Sequence, residues 1–210
     1  MSGIAQPTTL LHICCGPCAL EPVQRLREQG HQVAGLFFNP NIHGVQEYFL
    51  RRDAALRAAD ELDFPLVCLD TEYAPRRFFQ VIHGQEDRRC PACYRLRLER
   101  TFAYAREHGL QNVSTTLLYS IYQDRDTLLA LGRELEEQTG IPFPDHDFRP
   151  GWQAGIDLSK RLGLYRQSYC GCLYSEVDRQ LRKLNRLTSP SLPPNLTRPG
   201  AAGAVVPGAG

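Results

Sequence analysis

The 210-residue sequence predicts an α/β fold, a three-layer arrangement in which helices flank a parallel β-sheet. Two observations carry this prediction. Short apolar segments alternate along the chain with helical segments of roughly 10 to 18 residues, as in consecutive βαβ units. The apolar segments are also nearly continuous, for example VAGLFF at residues 33–38. Strands of parallel sheets have this composition because helices cover both of their faces.

Five strands are predicted from their apolar content and from the turn residues that follow them. A Gly-Pro turn at residues 16–17 follows the first strand, and the turn-rich segment 39–42 closes the second. The strands are predicted at residues 10–13, 31–39, 64–70, 112–117 and, most weakly, 141–148.

The helices are predicted from their apolar periodicity and their terminal residues. The first runs to about Gln29, with Pro22 tolerable only in its first turn. Pro91 occupies the first turn of the longest helix, and Asp124 or Asp126 caps the helix after it. Beyond the first, the predicted helices cover residues 45–62, 75–82, 91–108, a segment ending at 139, 153–162 and 176–187.

Residues 1–187 are predicted to form a single domain, and residues 188–210 a disordered tail. The tail is rich in Pro, Gly and Ala and offers no periodic apolar face to bury. The first residues lack a basic segment followed by an apolar stretch, so no signal peptide is expected. No apolar run approaches the roughly 18 residues of a membrane span. We therefore expect a cytoplasmic protein that does not bind a membrane.

Seven of the eight cysteines fall in three clusters, and this is the strongest functional signal in the chain. Only Cys68 stands alone, within an apolar strand, and is interpreted as a core thiol. Cytosolic thiols stay reduced, so clustered cysteines indicate metal binding or redox catalysis rather than structural disulfides. Metal clusters and dithiol centres both need several soft sulfur donors close together. The clusters are Cys14, Cys15 and Cys18; Cys90 and Cys93; and Cys170 and Cys172.

Most chemically interesting residues follow the predicted strands directly. In open parallel sheets, ligands bind beyond the carboxyl ends of the strands. The first cysteine cluster follows the first strand and meets a helix N-terminus, whose dipole stabilises thiolates. The sequence therefore predicts one active edge of the sheet. The other residues at this edge are Asn39, Asn41, Asp70, Thr115, Thr116, Asp145 and Asp147.

Three functions are compatible with the first two clusters. Cys15-Gly-Pro-Cys18 is the active-site tetrapeptide of thioredoxin and favours a dithiol oxidoreductase, although no tryptophan precedes it. Cys90 and Cys93 form a CxxC pair, which is often half of a zinc site or half of an iron–sulfur site. The alternatives are therefore a metal-dependent redox enzyme, a thioredoxin-like reductase and a zinc-stabilised nucleic-acid-binding module.

The third cluster has two interpretations. Cys170 and Cys172 can form a disulfide only where the chain turns, and Gly171 permits that turn. Such a small ring is strained and easily reduced, as redox-active disulfides are. The other interpretation is that both are metal ligands.

Taken together, the motifs resemble the QueH-type epoxyqueuosine reductases. The resemblance runs from about Leu10 to Ser175, and its segments occur in the same order. Two positions depart from the family pattern: Gly44 replaces a proline, and residues 119–123 replace a Ser-Pro-His-like stretch. The combination of CC, CxxC and YRQxYCGC is highly specific. The segments are LHICCGPC, FFNPNIH, EYFLRRDA, RCPACYRLRLERTFAYA, STTLL, HDFR and LSKRLGLYRQSYCGCLYS.

The resemblance implies the Rossmann-like fold of the adenine-nucleotide α-hydrolases, called the HUP fold. It implies an enzyme that reduces epoxyqueuosine to queuosine at the wobble position of tRNA anticodons. The implied cofactors are a [4Fe–4S] cluster and an additional iron, without cobalamin. No ATP is expected, because CCGPC stands where ATP-using relatives have a nucleotide-binding loop. The implied cluster ligands are Cys14, Cys15, Cys90 and Cys93.

The resemblance does not assign a single role to each of the remaining candidate residues. Cys170 and Cys172 are a redox-active pair or ligands of the second iron. Asp147 is the first choice for a carboxylate ligand of that iron, and Asp145 competes with it. The role of Cys18 stays open: it is a metal ligand, a neighbour of the ligands or a thiol that the site does not use.

The implied partners are tRNA containing epoxyqueuosine and an external electron donor. The net charge of +1 argues against binding RNA through bulk charge and favours a localised basic patch. The candidate phosphate-binding residues are Arg88, Arg89, Arg95 and Arg166.

Overall fold

A computed structural model describes residues 8–187, and these form one parallel sheet flanked by helices. The strands are β1 (Thr8–His12), β2 (Gln32–Phe37), β3 (Leu66–Cys68) and β4 (Asn112–Thr115). Single-turn 3₁₀ helices occur in several connections. The longer helices are α1 (Gly16–Glu28), α2 (Val45–Glu61), α3 (Pro75–Ile82), α4 (Arg89–Glu107), α5 (Arg125–Thr139), α6 (Trp152–Arg161) and α7 (Leu173–Leu187).

The strand order is β3-β2-β1-β4, and every pair of neighbours is parallel. Leu10 in β1 lies opposite both Ala34 in β2 and Val113 in β4, which fixes the register of the sheet. The chain moves outward from β1 to β3 and then returns to the other side of β1. This is the order of Rossmann-like sheets, and it places a topological switch point between β1 and β4.

The helices form the two outer layers predicted from the sequence. Helix α1 packs against α2 and α6, whereas α4 packs against α3 and α5. Right-handed crossovers place α1 and α2 on one face and α4 on the other, because the chain reverses its direction across the sheet. The strands between them are buried, with Leu11, Leu36 and Val113 each fully excluded from solvent. The α/β class and the three layers are confirmed.

The prediction of a fifth strand at residues 141–148 is wrong. This segment has no regular secondary structure. Pro142 and Pro144 have no N–H groups to donate to a neighbouring strand. One hydrogen bond of the kind that joins parallel strands is present, from the Val113 amide to the Pro142 carbonyl at 2.9 Å. The segment nevertheless buries Phe143, whose ring lies directly over Gly132 in α5.

Most helix boundaries agree with the predicted ones. Asp124 is the cap of α5, because its carboxylate accepts a hydrogen bond from the Thr127 amide at 3.1 Å. Helix α7 starts at Leu173, three residues earlier than predicted, directly after the last cysteine. The predicted tail at 188–210 lies outside the described residues, so its disorder stays a prediction. No helix between residues 8 and 187 is long and apolar enough to cross a membrane.

Gly16 provides the clearest test of the packing that supports the first cysteine cluster. A Cβ atom at Gly16 would lie 2.1 Å from the carbonyl oxygen of Ala54 in α2. Because this neighbour is backbone, α1 must move away from α2. We expect Gly16→Ala to lower the free energy of unfolding by about 1 to 3 kcal/mol, measured by urea denaturation. Gln24→Ala, at an exposed position of the same helix, is the matched control. Equal stability of both variants would contradict this close contact.

Candidate active site

The first cysteine cluster lies at the switch point of the sheet. Cys14 follows β1, and its amide donates a hydrogen bond to Oγ1 of Thr116, the residue after β4, at 3.0 Å. The same hydroxyl lies 3.2 Å from the Cys14 sulfur. The sulfurs of Cys14, Cys15 and Cys18 all lie within 4.8 Å of one another. This triad can hold a soft metal ion, since thiolates are its preferred ligands.

The three thiols do not share one protonation state. Hydrogen bonds from Cys15 and Cys18, with a further one from Thr116, hold the pKa of Cys14 well below its usual range. Burial raises the pKa of Cys15, and the hydrogen bonds that Cys18 donates to the other two sulfurs raise its own pKa. Cys14 is therefore the thiol of the triad that deprotonates most readily.

The thioredoxin-like interpretation fits this arrangement poorly. A dithiol reductase attacks its substrate with an accessible thiolate of lowered pKa. Cys15, the first cysteine of the CGPC tetrapeptide, is fully buried and its pKa is raised. The lowered pKa belongs to Cys14, which lies outside the tetrapeptide. The chain therefore has the cysteine spacing of thioredoxin, but its CGPC motif lacks an accessible first cysteine with a lowered pKa.

The other two cysteine clusters meet at a second location. Cys90 and Cys93 in the first turns of α4 line one cavity together with Cys170 and Cys172. The cavity has a volume of about 30 Å³, room for roughly two water molecules. The structure therefore joins residues about 80 positions apart in the sequence. Polar residues complete the cavity wall, among them Asn41, Gln123 and Ser175.

Burial disfavours the thiolate form of three thiols in the cavity. Burial raises the pKa of Cys93 to about 12 and also raises the pKa of Cys90. Cys170 is an exposed residue, but protein crowds its thiol and raises its pKa as well. Metal binding at these sulfurs must displace protons, because only thiolates are strong ligands.

Cys170 and Cys172 are free thiols in the structure, as are all other cysteines. The chain does turn at Gly171, which has φ = +125°. A Cβ atom there would lie 2.8 Å from Nη1 of Arg51, so the residue must be glycine for both conformational and steric reasons. The predicted turn is present, whereas a disulfide stays a prediction.

Arg51 fixes the backbone of this turn. Its guanidinium donates hydrogen bonds to the carbonyl oxygens of Cys170 at 2.8 Å and Tyr169 at 3.1 Å. Its Nε donates to Glu47 at 2.7 Å, and Tyr165 donates to the other oxygen of the same carboxylate at 2.6 Å. Arg51 is almost fully buried, so this hydrogen-bond network fixes the position of the backbone that carries the third cluster.

Arg97 lies between the two groups of cysteines. It is buried to 1% exposure, and its Nε donates to the Cys93 carbonyl at 3.2 Å. Its charge interacts with the thiols of Cys93, Cys170 and Cys14. Within residues 8–187 no carboxylate pairs with it, and its Nη2 has no hydrogen-bond partner. A buried guanidinium of this kind requires a negative charge nearby.

The connection between α6 and α7 closes over the first cluster. Nε2 of Gln167 lies 2.8 Å from the sulfur of Cys15 and 3.9 Å from that of Cys18. His12 lies beneath the triad, and its ring nitrogens contact Thr115 and the carbonyl of Phe38. Burial and the charge of Arg97 lower the pKa of His12 to about 4, so this histidine is neutral.

The buried polar atoms that lack a partner concentrate around the cysteines. Native proteins satisfy nearly all such atoms, so a cluster of exceptions indicates a polar ligand. Of the eight atoms of this kind in the described part of the chain, four belong to residues that line the cysteine cavity or contact the first cluster. They are Asn41 Oδ1, Arg89 Nε, Arg97 Nη2 and Gln167 Oε1. Seven thiols with this surrounding fit a metal–sulfur centre.

The acidic candidates lie outside both cysteine groups. Two hydrogen bonds from the Arg149 side chain, at 2.8 and 2.7 Å, hold the carboxylate of Asp147. This guanidinium lowers the pKa of Asp147 to about 2. Asp145 pairs with Arg125, and Asp70 accepts from Tyr48. Asp147 therefore has to exchange its arginine partner before it can bind a metal.

Two of the four arginines predicted to contact phosphate are engaged elsewhere. Arg95 forms two hydrogen bonds with Glu134, and Arg89 donates to Asp178 in α7 at 2.8 Å. Arg88 and Arg166 are exposed and form no ion pair among residues 8–187.

Sequence reasoning missed Arg51, Arg97 and Gln167. Arg51 and Gln167 are remote in the sequence from the cysteines that they contact. Arg97 is four residues from Cys93 in the same helix. This spacing could have predicted the contact of Arg97 with Cys93, since residues four apart share one face of a helix. The quoted segments EYFLRRDA and YRQSYCGC contain Arg51 and Gln167, but no pattern within them indicates the partner of either side chain.

Comparisons with known proteins identify the family of this chain. The family described as epoxyqueuosine reductase QueH matches residues 9–178. A protein of that name from Dehalococcoides mccartyi is 35% identical over 82% of this chain and 94% of its own length. Another from Thermotoga maritima is 36% identical over 82% of this chain and 92% of its own length.

A solved structure from Methanocaldococcus jannaschii, described as a predicted subunit of tRNA methyltransferase, is 15% identical to this chain. It aligns with a TM-score of 0.48 over 73% of this chain and 74% of that one. The two curated relatives cover nearly the whole described domain, and the family match includes all seven clustered cysteines. The chain belongs to the QueH family of epoxyqueuosine reductases.

Proposed function

We propose that this protein reduces epoxyqueuosine in tRNA to queuosine. The observation that carries the proposal is the convergence of seven cysteines at one end of the sheet in a chain of this family. The relatives are named for this activity. The cytoplasm, where tRNA and reducing conditions occur together, is the proposed location.

Cys14, Cys15, Cys90 and Cys93 are the proposed ligands of a [4Fe–4S] cluster. Cys14 and Cys15 belong to the first group of thiols, whereas Cys90 and Cys93 line the cavity, so one cluster has to bridge the two groups. An additional iron is proposed beside it, held by Asp147 or by Cys170 and Cys172. Cys18 is a competing ligand, because its sulfur lies within 4.8 Å of those of Cys14 and Cys15. When bound, iron and sulfide supply single electrons and a Lewis acid for the epoxide oxygen.

The protein itself supplies positioning, charge and reducing equivalents. Converting an epoxide to an alkene releases the oxygen as water and consumes two electrons and two protons. Oxidation of Cys170 and Cys172 to a disulfide yields two electrons and two protons, so this pair balances one turnover. An external electron donor must then reduce the disulfide. The hydrogen bonds from Arg51 hold the backbone of the pair in place during this cycle.

The substrate base approaches the thiols from the mouth of their cavity. A volume of about 30 Å³ is too small to enclose a nucleobase. Cys90 and Cys170 are exposed residues at this location, so this part of the surface can receive a substrate. A tRNA anticodon presents unpaired bases that can turn outward toward such a site.

The test of the function is the reduction of epoxyqueuosine tRNA by anaerobically purified protein, followed by nucleoside mass spectrometry. We expect wild-type protein to form queuosine. Cys170→Ser and Cys172→Ser should abolish steady-state turnover yet keep most of the visible absorbance, because these thiols carry electrons outside the cluster. Cys14→Ser and Cys90→Ser should lose the absorbance and the activity together.

Cys68→Ser is the matched control, since Cys68 lies in strand β3 and should not alter either property. Full loss of the chromophore in a Cys170 or Cys172 variant would instead make that residue a cluster ligand. Absence of product with intact wild-type chromophore would contradict the proposed function.

Arg97 provides a second test, because its charge should favour thiolates over thiols. Arg97→Met should lower the iron content per chain, whereas Arg97→Lys should retain most of it. In the metal-free protein, Arg97→Met should leave the melting temperature unchanged or raise it, because it removes an uncompensated buried charge. A purely structural role predicts the reverse, a large loss of stability with normal iron content.

Asp147 provides a third test. Asp147→Asn should keep the cluster absorbance and lose the second iron together with activity, because an amide binds iron much more weakly than a carboxylate does. Iron quantitation per chain is the measurement, and Asp145→Asn is the matched control two residues away. Wild-type iron content and activity in Asp147→Asn would show that Asp147 only orders its loop through Arg149.

A further inference from the structure

We propose that the side of α7 that continues the cavity wall binds the phosphate backbone of the substrate RNA. The binding surface is the α7 basic row, defined here as Arg179, Arg182 and Arg186. This inference rests on the proposed function, since it assigns the surface that receives the RNA strand next to the reacting base.

The position of the row follows from helix geometry. Ser175, in the first turns of α7, lines the cysteine cavity. Arg179, Arg182 and Arg186 lie four, seven and eleven residues further, the spacing of one helix face. At 1.5 Å per residue, the row extends about 16 Å from Ser175. The cavity wall therefore continues outward as a line of guanidinium groups.

The row is not neutralised by the protein. Arg179, Arg182 and Arg186 are exposed, and in the described ranges none of them forms an ion pair. Arg179 donates to the carbonyl oxygen of Ser168, and Arg182 donates to the carbonyl oxygen of Asp178. Both carbonyls are uncharged, so the positive charge of each side chain stays available.

The distribution of charge along α7 is asymmetric. Its acidic residues, Glu176 and Asp178, both lie in the first half, and Asp178 pairs with Arg89. After Asp178 the helix contains four basic residues and no acidic one, Lys183 being the fourth. Exposed arginines without an ion pair occur elsewhere in the described chain as well, for example Arg76 and Arg161. What distinguishes the α7 basic row is its place on the helix face that continues the cavity wall, with no acidic residue after Asp178 in the helix.

Phosphate is the ligand that these observations favour. Guanidinium groups match phosphate oxygens geometrically, and a row of them follows a nucleic-acid backbone. The opposite side of α7 is apolar and exposed at Leu173, Val177 and Leu181. An anionic lipid surface is the competing ligand, because basic amphipathic helices also bind such surfaces. The row, however, begins at the thiols, where a base of the RNA has to be delivered.

The experiment measures binding of a fluorescently labelled, unmodified tRNA transcript to the full chain by anisotropy at several salt concentrations. The variant Arg182→Gln/Arg186→Gln keeps the Arg179 contact to Ser168 and removes two charges. Loss of two phosphate contacts should reduce the slope of log affinity against log salt by about 1.4, at roughly 0.7 per contact. Arg106→Gln/Arg161→Gln, at the distant C-terminal ends of α4 and α6, removes the same charge and should leave the slope unchanged.

An equal fall in affinity and slope for both double variants would overturn the proposal, because it would show an effect of net charge alone. Binding to anionic phospholipid vesicles through the row, with unaltered tRNA binding, would also overturn it. Failure of the proposed function and failure of the RNA surface give different results. A protein that forms no queuosine but loses tRNA affinity only in Arg182→Gln/Arg186→Gln still has the RNA surface. A protein that forms queuosine and binds tRNA equally in all variants does not use this surface.

Discussion

The burial of a positive charge among thiols is the constraint on which this site depends. Arg97 lies inside the protein without a carboxylate, and the groups whose charges act on it are Cys93, Cys170 and Cys14. Neutral thiols leave a guanidinium of this kind uncompensated, at a cost of several kcal/mol. Thiolates bound to metal remove that cost. Metal binding and the stability of this end of the sheet are therefore coupled.

The fold brings the two groups of thiols together through its strand order. Because β1 and β4 are neighbours, the residues that follow them meet, and Thr116 contacts Cys14. Helix α4 returns the chain to β4 and brings Cys90 and Cys93 to the cavity. The connection after α6 then crosses both groups, with Gln167 at Cys15 and Arg51 holding the carbonyl of Cys170. Polar side chains on distant elements thus determine where the thiols lie.

The sequence predicted the α/β class, the active edge and the family, because strand periodicity and cysteine spacing are local properties. It failed at residues 141–148, where apolar composition suggested a strand but Pro142 and Pro144 cannot donate to one. The CGPC tetrapeptide also suggested a dithiol oxidoreductase, but Cys15 is fully buried and its pKa is raised, which argues against that function. The partners of Arg51 and Gln167 were not predictable, since each lies more than 100 residues from its contact. Contacts of this kind depend on how α2 and the segment after α6 pack, which one sequence does not encode in any local pattern.

Iron bound by thiolates at the switch point of the sheet is the feature from which the proposed chemistry follows. Iron X-ray absorption spectroscopy on anaerobically purified protein tests this most directly, because it reports the elements bound to the metal. We predict a coordination shell dominated by sulfur, with iron–iron scattering that disappears in Cys14→Ser and persists in Cys68→Ser. Protein that contains zinc in place of iron, or iron surrounded only by oxygen and nitrogen, would contradict the account.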